Sequence, residues 1–198
     1  ADDLPVSSIS CFLKHFEAQK RLVASNHPYG LILEDDVEFL ETSFHDRLNK
    51  ILTQIPNLGS KWLIFLGGAD NKLSARFFLE SDPALLLESS MTTAEAYLVN
   101  RESCIERLMW FEQTNSIEIA LDHLMTSLDK NLGIKHFRPV CALASQGSIT
   151  GKFETTLDGS RRKHSSTYLY LKYRLNRFRR QLFPRISAKI RAVCGASD

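Results

Sequence analysis

The chain has 198 residues, 43% apolar and 24% charged, the proportions of one ordinary folded domain, which exclude a disordered, collagen-like or disulfide-dense polypeptide. Its formal net charge of +2 suggests no strongly charged partner, yet that value is the sum of two unlike parts. Residues 1–160 carry 14 basic and 22 acidic side chains, net −8, whereas residues 161–198 carry 11 basic and 1 acidic, net +10.

Ser7 and Ser8 offer a cap for a first helix whose apolar Ile9, Phe12, Leu13, Phe16 and Val23 follow three-and-four spacing, ending near Asn26 ahead of His27-Pro28. Residues 29–33, an unbroken apolar run, predict a short buried strand that stops in Glu34, Asp35 and Asp36. A linker with Pro56 and Gly59 leads to a second strand over 62–66, and Gly67-Gly68 after it reads as a turn, or as a place where a ligand approaches the backbone. A third strand over 96–99 runs into Asn100, which can cap a helix over 101–112. Another helix begins near Asp122 and stops by Gly133, and residues 134–143 read as extended around Pro139. Strands alternating with helices in this way predict an α/β sandwich.

From Ser165 onward the pattern changes. Tyr168, Leu171, Leu175, Phe178 and Leu182 recur at spacings of three and four, with Lys172, Arg174, Arg177, Arg179 and Arg180 around them, which predicts a basic amphipathic helix broken at Pro184. Phe183, Ile186, Ile190 and Val193 continue a similar stripe. Such a segment suits an anionic bilayer surface; the alternative is a terminal helix packed back on the body with a solvated basic face. Nucleic acid is disfavoured, because the body is acidic and no base-reading module is present. No apolar run reaches the roughly 18 to 20 residues of a membrane-spanning helix. Cys11, Cys104, Cys141 and Cys194 form no CxxC pair and show no close His at metal spacing, so zinc and redox readings are weak and reduced thiols of a cytosolic protein are expected.

The run Glu34-Asp35-Asp36 at the end of a strand repels itself unless a cation or hydrogen-bond donors compensate it. In an extended chain Glu34 and Asp36 face one side and Asp35 the other. Hard oxygen ligands suit Mg or Mn, which can hold a diphosphate. The alternative is a solvated acidic loop, and three carboxylates alone name no reaction.

Five blocks, CFLKH (11–15), LILEDDV (31–37), TTAEAYLVNR (92–101), ALDHLM (120–125) and PVCALASQ (139–146), stand in an order and rough spacing that resembles glycosyltransferase family 25. The resemblance implies a GT-A-like fold with a central mixed sheet over residues 1–160, and the charge and periodicity read above add a basic helical tail over 161–198. It implies a UDP-sugar donor, galactose or glucose, and a Mn (or Mg) ion. The acidic run stands where such enzymes carry a DxD-type element, with Glu34 and Asp36 as metal ligands and His123 beside them. Asp122 matches the family's candidate general base and Glu95 is a second candidate, while His15, Asp35 and Gln146 fall on the donor side. Each has an ordinary alternative: a helix cap for Asp122, packing for His15, a surface residue for Gln146. Family members begin with a strand and an Arg-containing loop that help hold the nucleotide, and the chain, whose first residue is Ala1, is expected to lack that segment. Ser10 also stands where a glycine is common. The implied activity is inverting transfer of a hexose to a lipooligosaccharide or lipopolysaccharide acceptor, by a cytoplasmic enzyme peripheral on the inner membrane. The alternatives are a non-catalytic member that binds membrane or partner, and a collagen-type galactosyltransferase.

Overall fold

Two short strands in which every side chain is buried, Trp62–Phe65 (β3) and Ala96–Asn100 (β5), form the middle of a sheet in the computed structural model, which describes residues 5–40, 42–67, 80–89, 94–114, 121–150, 153 and 165–194. The sheet has five strands in the order β1 (Tyr29–Leu33), β5, β3, β6 (Lys135–Pro139), β4 (Leu86–Glu88). The β3–β6 pair is parallel and the other three pairs are antiparallel, so the sheet is mixed. Alternation along the strands sorts the core into two. Leu63, Phe65, Tyr97 and Val99 join Phe12 and Phe16 on one face, and Trp62, Ile64, Ala96 and Leu98 join Ile51 and Leu143 on the other. Helices α1 (Val6–Ser25), α3 (Arg101–Gln113) and α4 (Leu121–Leu132) cover the first face, and α2 (Phe44–Leu52) covers the second. A strand covered on both faces must be apolar throughout, which is why the central strands read as unbroken apolar runs. The expected α/β class with a central mixed sheet is what the chain adopts.

Three expectations are corrected. Residues 29–33 do form a strand, but at the sheet edge, with Leu31 and Leu33 38% and 41% exposed, so its apolar run does not mean full burial. Pro5 rather than Ser7 or Ser8 flanks the start of α1, and Ile9 and Leu13 are exposed, because the helix buries a stripe through Phe12, His15, Phe16, Gln19 and Leu22 instead. Pro184 does not break the last helix: α6 runs Ser166–Cys194. A proline inside a helix removes one hydrogen bond and crowds the preceding turn, a local cost that a long helix can carry.

Elsewhere the local signals act as expected. Asn100 caps α3 by accepting from Ser103 N–H at 3.2 Å, and its side chain also accepts from Trp62 N–H at 3.2 Å, tying the helix start to the neighbouring strand. Asn26 ends α1 in the left-handed conformation (φ 58°), ahead of the turn through His27-Pro28. Gly133 (φ 68°) follows α4 in the same way. Short elements that carry no strong pattern complete the fold: β2 (Val37–Phe39) pairs antiparallel with β7 (Ala144–Gln146), and the single turn α5 (Gly147–Thr150) follows β7.

Beneath α3 and α4 lies a buried ionic cluster. Arg107 donates through Nε to Asp129 Oδ1 at 2.7 Å and through its second nitrogen to Oδ2, while His136 Nε2 lies 2.5 Å from Oδ2. Arg107 and Asp129 are 1% and 0% exposed. Burial alone would push the Asp129 carboxyl up, but the Arg107 charge and the hydrogen bonds from His136 and Arg107 outweigh it and hold Asp129 below the usual carboxylate range. Burial also drives the nearby Cys104 thiol up to about 12, which leaves it neutral and inert. Among the described residues no disulfide joins Cys11, Cys104 or Cys141.

Candidate active site

Where β1 leaves the sheet, Glu34 N–H still donates to Glu95 carbonyl at 2.9 Å, and the chain then reverses: Val37 N–H donates to Glu34 carbonyl at 3.3 Å. Asp35 and Asp36 occupy the corners of this turn, so the strand-like alternation expected for the acidic run is not what forms. The reversal places all three acidic residues, Glu34, Asp35 and Asp36, in the lining of one cleft of about 580 Å³. The opposite wall is a face of α1, where Ser7, Cys11, Lys14, His15 and Ala18 follow helical spacing. Gln146 from β7, Ser148 from α5 and Phe153 close one end.

Glu34 is the hub. Its Oε1 lies 3.4 Å from His15 Nε2 and accepts from Cys11 Sγ at 3.9 Å, and its Oε2 accepts from Gln146 Nε2 at 3.4 Å. His15 is 5% exposed, and its Nδ1 lies 2.9 Å from the Tyr97 hydroxyl, with the two rings stacked 5.7 Å apart. Burial holds Tyr97 neutral by pushing its hydroxyl far above the usual range. A polar chain thus runs from the core through Tyr97 and His15 to the cleft.

Asp36 organises the other end. Its carbonyl accepts from Gly147 N–H at 2.7 Å and its Oδ2 accepts from Ser148 N–H at 3.2 Å. Gly147 is required there, because a Cβ would lie 2.0 Å from Phe153 Cδ2 and 2.9 Å from Asp36 carbonyl. The chemistry this arrangement offers is that of hard oxygen donors beside hydrogen-bonding groups, suited to a divalent cation carrying an anionic ligand. Lys14 adds a positive charge on the facing wall.

The structure therefore brings together His15, Glu34, Asp35, Asp36 and Gln146. Glu95 stands behind the cleft wall rather than on it: its side chain is 1% exposed and lies against Gly67, where a Cβ would come within 2.1 Å of Oε1. Its charge acts on buried Arg138, whose guanidinium burial pulls down to about 10 while Glu95 opposes that fall. Asp122 and His123 lie in the first turn of α4, and their side chains are outside the described residues. Gly68, part of the expected turn, is outside them too. Sequence reading missed Cys11, Lys14 and Ser148 as cleft residues. For the first two the signal was present, since they share a helical face with His15; Ser148 follows a short strand and had none.

The family model for "Glycosyltransferase family 25 (LPS biosynthesis protein)" matches residues 1–125, which include both walls of the cleft other than its Gln146, Ser148 and Phe153 end. A protein described as "Glycosyltransferase 25 family member" from Aedes aegypti is 34% identical over 64 residues, covering 32% of this chain and 10% of that protein. The match extends over more than half of the chain and contains the acidic turn, and the chain belongs to glycosyltransferase family 25.

Proposed function

We propose that this chain is the donor-binding part of a glycosyltransferase of GT-A type that takes a UDP-hexose, galactose being favoured over glucose, and passes the sugar to the oligosaccharide of a lipooligosaccharide or lipopolysaccharide. The observation that carries this reading is the Glu34-Asp35-Asp36 turn facing α1 across a cleft, inside the region that matches the family. The donor set fits a Mn or Mg ion. Asp36 and Glu34 would hold it, with His123 as a further candidate ligand from its match to the family motif, and the ion would supply neutralisation of the diphosphate as its negative charge develops.

The chain's own residues do the rest. Lys14 and the hydroxyl group of Ser7 offer donors for phosphate and sugar oxygens, Gln146 and Asp35 offer polar contacts to the donor, Ser148 holds Asp36 through its N–H, and His15 positions Glu34. In inverting transfer the acceptor oxygen bonds to the anomeric carbon while the bond from that carbon to the diphosphate breaks, its electron pair leaving with UDP. A carboxylate takes the acceptor proton. Asp122, in the first turn of α4, is proposed as that base from its match to the family motif, and Glu95, the second candidate, is buried behind the cleft wall and would need to be uncovered to act.

The tail supports location at a membrane. On α6, Leu171, Leu175 and Phe178 are 57–61% exposed, whereas Tyr173 is buried. Exposure of these three apolar side chains beside Lys172, Arg174 and Arg179 supports an interfacial reading of the helix, which touches the body through Tyr173. No helix among the described residues is long and apolar enough to cross a membrane. An interfacial helix on the cytoplasmic face of the inner membrane, close to a glycolipid acceptor, is the role proposed for residues 161–198, with residues 1–160 as the catalytic domain.

Calorimetric titration with UDP in the presence and absence of Mn tests the donor assignment. Binding that requires Mn and is lost in Asp36→Ala is expected; absence of heat from UDP under both conditions overturns it.

A further inference from the structure

The cleft contains a second donor set that differs in chemistry from the acidic turn. Cys11 Sγ, His15 Nε2 and a Glu34 carboxylate oxygen all lie within 4.8 Å of one another. Two come from one helical face at i and i+4, the spacing at which a helix presents two ligands to one ion, and the third reaches across from the β1–β2 turn. The separations are 3.4 Å from His15 Nε2 to Glu34 Oε1 and 3.9 Å from Cys11 Sγ to the same atom. Ligands of a tetrahedral zinc ion, with Zn–S near 2.3 Å and Zn–N or Zn–O near 2.0 Å, stand roughly 3.3–3.6 Å apart, and the two contacts of Glu34 Oε1 already lie within a few tenths of an ångström of that spacing.

We propose that Cys11, His15 and Glu34 form a three-ligand site for a zinc-class divalent cation, with its fourth position open to the cleft. The second observation behind this is Tyr97. Its buried, neutral hydroxyl lies 2.9 Å from His15 Nδ1 and holds the ring with Nε2 turned to Glu34, so that with an ion bound it can accept from Nδ1–H and leave the Nε2 lone pair for the metal. That is the support a metal-binding imidazole needs on its far nitrogen. Thiolate and imidazole ligands select zinc-class ions over Mg or Mn, so this site is distinct in preference from the carboxylate site, although Glu34 belongs to both. Binding deprotonates Cys11, whose proton passes to solvent. An ion bound here bridges α1 to the acidic turn and removes Glu34 from the Mn-holding set, so zinc and Mn-dependent UDP binding compete. The sequence carried the signal in CFLKH, where Cys11 and His15 are one helical turn apart, against the expectation that no histidine stood at metal spacing.

Titration of the whole chain with cobalt(II) as a zinc substitute tests this without any nucleotide. One equivalent is expected to produce a thiolate-to-cobalt charge-transfer band in the near ultraviolet, which zinc then bleaches. Cys11→Ser abolishes the band, Tyr97→Phe weakens binding roughly tenfold or more, and Asp36→Asn leaves it unchanged. In the unaltered protein, zinc protects Cys11 from alkylation while exposed Cys141 reacts as before, a readout that needs no variant to fold. Absence of a charge-transfer band, a band that survives Cys11→Ser, or equal alkylation of Cys11 with and without zinc overturns the proposal. Since Mn yields no such band, failure of the UDP titration leaves this result standing, and the reverse also holds.

Discussion

Replacing Asp129 with Asn isolates the energetics of the buried cluster beneath α3. Arg107 and Asp129 are 1% and 0% exposed, paired through two hydrogen bonds, with His136 on the same carboxylate. A neutral amide in place of the carboxylate would leave a buried guanidinium without a counter-charge, and breaking one side of such a pair costs about 3–5 kcal/mol. Urea unfolding at neutral pH should show that loss, with a fall in Tm of about 6–20 °C for a chain of this size. The pH dependence has a definite sign. The folded Asp129 carboxyl lies below its ordinary value near 3.9, so its contribution is fully present above that value and disappears as pH falls through the folded one. The stability gap between the parent and Asp129→Asn should be largest above about pH 4 and close as pH falls further and the carboxylate is protonated. The double change Arg107→Met with Asp129→Leu should cost far less than either change alone, because no charge is then stranded. A gap under about 1 kcal/mol at neutral pH, or one that does not shrink in acid, would refute the reasoning.

Three further outcomes are expected. Gly147→Ala places a Cβ against Phe153 and the Asp36 carbonyl, and should cost about 1–3 kcal/mol in urea unfolding while weakening UDP binding; unchanged binding and stability would contradict the close approach seen there. Asn100→Ala removes the cap of α3 and the acceptor for Trp62 N–H, and should lower stability by about 2 kcal/mol, with hydrogen exchange rising first at Ser103; a loss below about 0.5 kcal/mol would count against the cap. The chain should sediment with anionic vesicles at low salt, less so as salt rises, and not after deletion of residues 161–198; binding that survives the deletion would exclude the tail as the anchor, since each basic residue near the surface is worth roughly 1 kcal/mol.

How much of this was legible in the sequence follows from what each signal measures. The strands at 62–66 and 96–99 were readable because full burial on both faces leaves nothing but apolar residues, and the helix from Arg101 because Asn100 is a strong cap. β1 was found but placed too deep, since an apolar run reports hydrophobicity and not which neighbour is missing from a sheet edge. β2, β4 and β7 are three residues each, shorter than any period that could reveal them, and the pairing of β2 with β7 across more than a hundred residues is a tertiary fact. At the site, Glu34, Asp35 and Asp36 were visible as an improbable density of charge, but their common place in one cleft was not, because it depends on the turn closed by the hydrogen bond from Val37 to Glu34. His15 was visible as a motif residue; its contact with Tyr97, 82 positions away, was not.

A crystal structure with a UDP-sugar and Mn tests the central claim most directly. The account predicts nucleotide density in the cleft between α1 and the β1–β2 turn, with the ion on Asp36 and Glu34 and Gln146 within reach of the donor. A nucleotide bound elsewhere, with the acidic turn untouched, would contradict it.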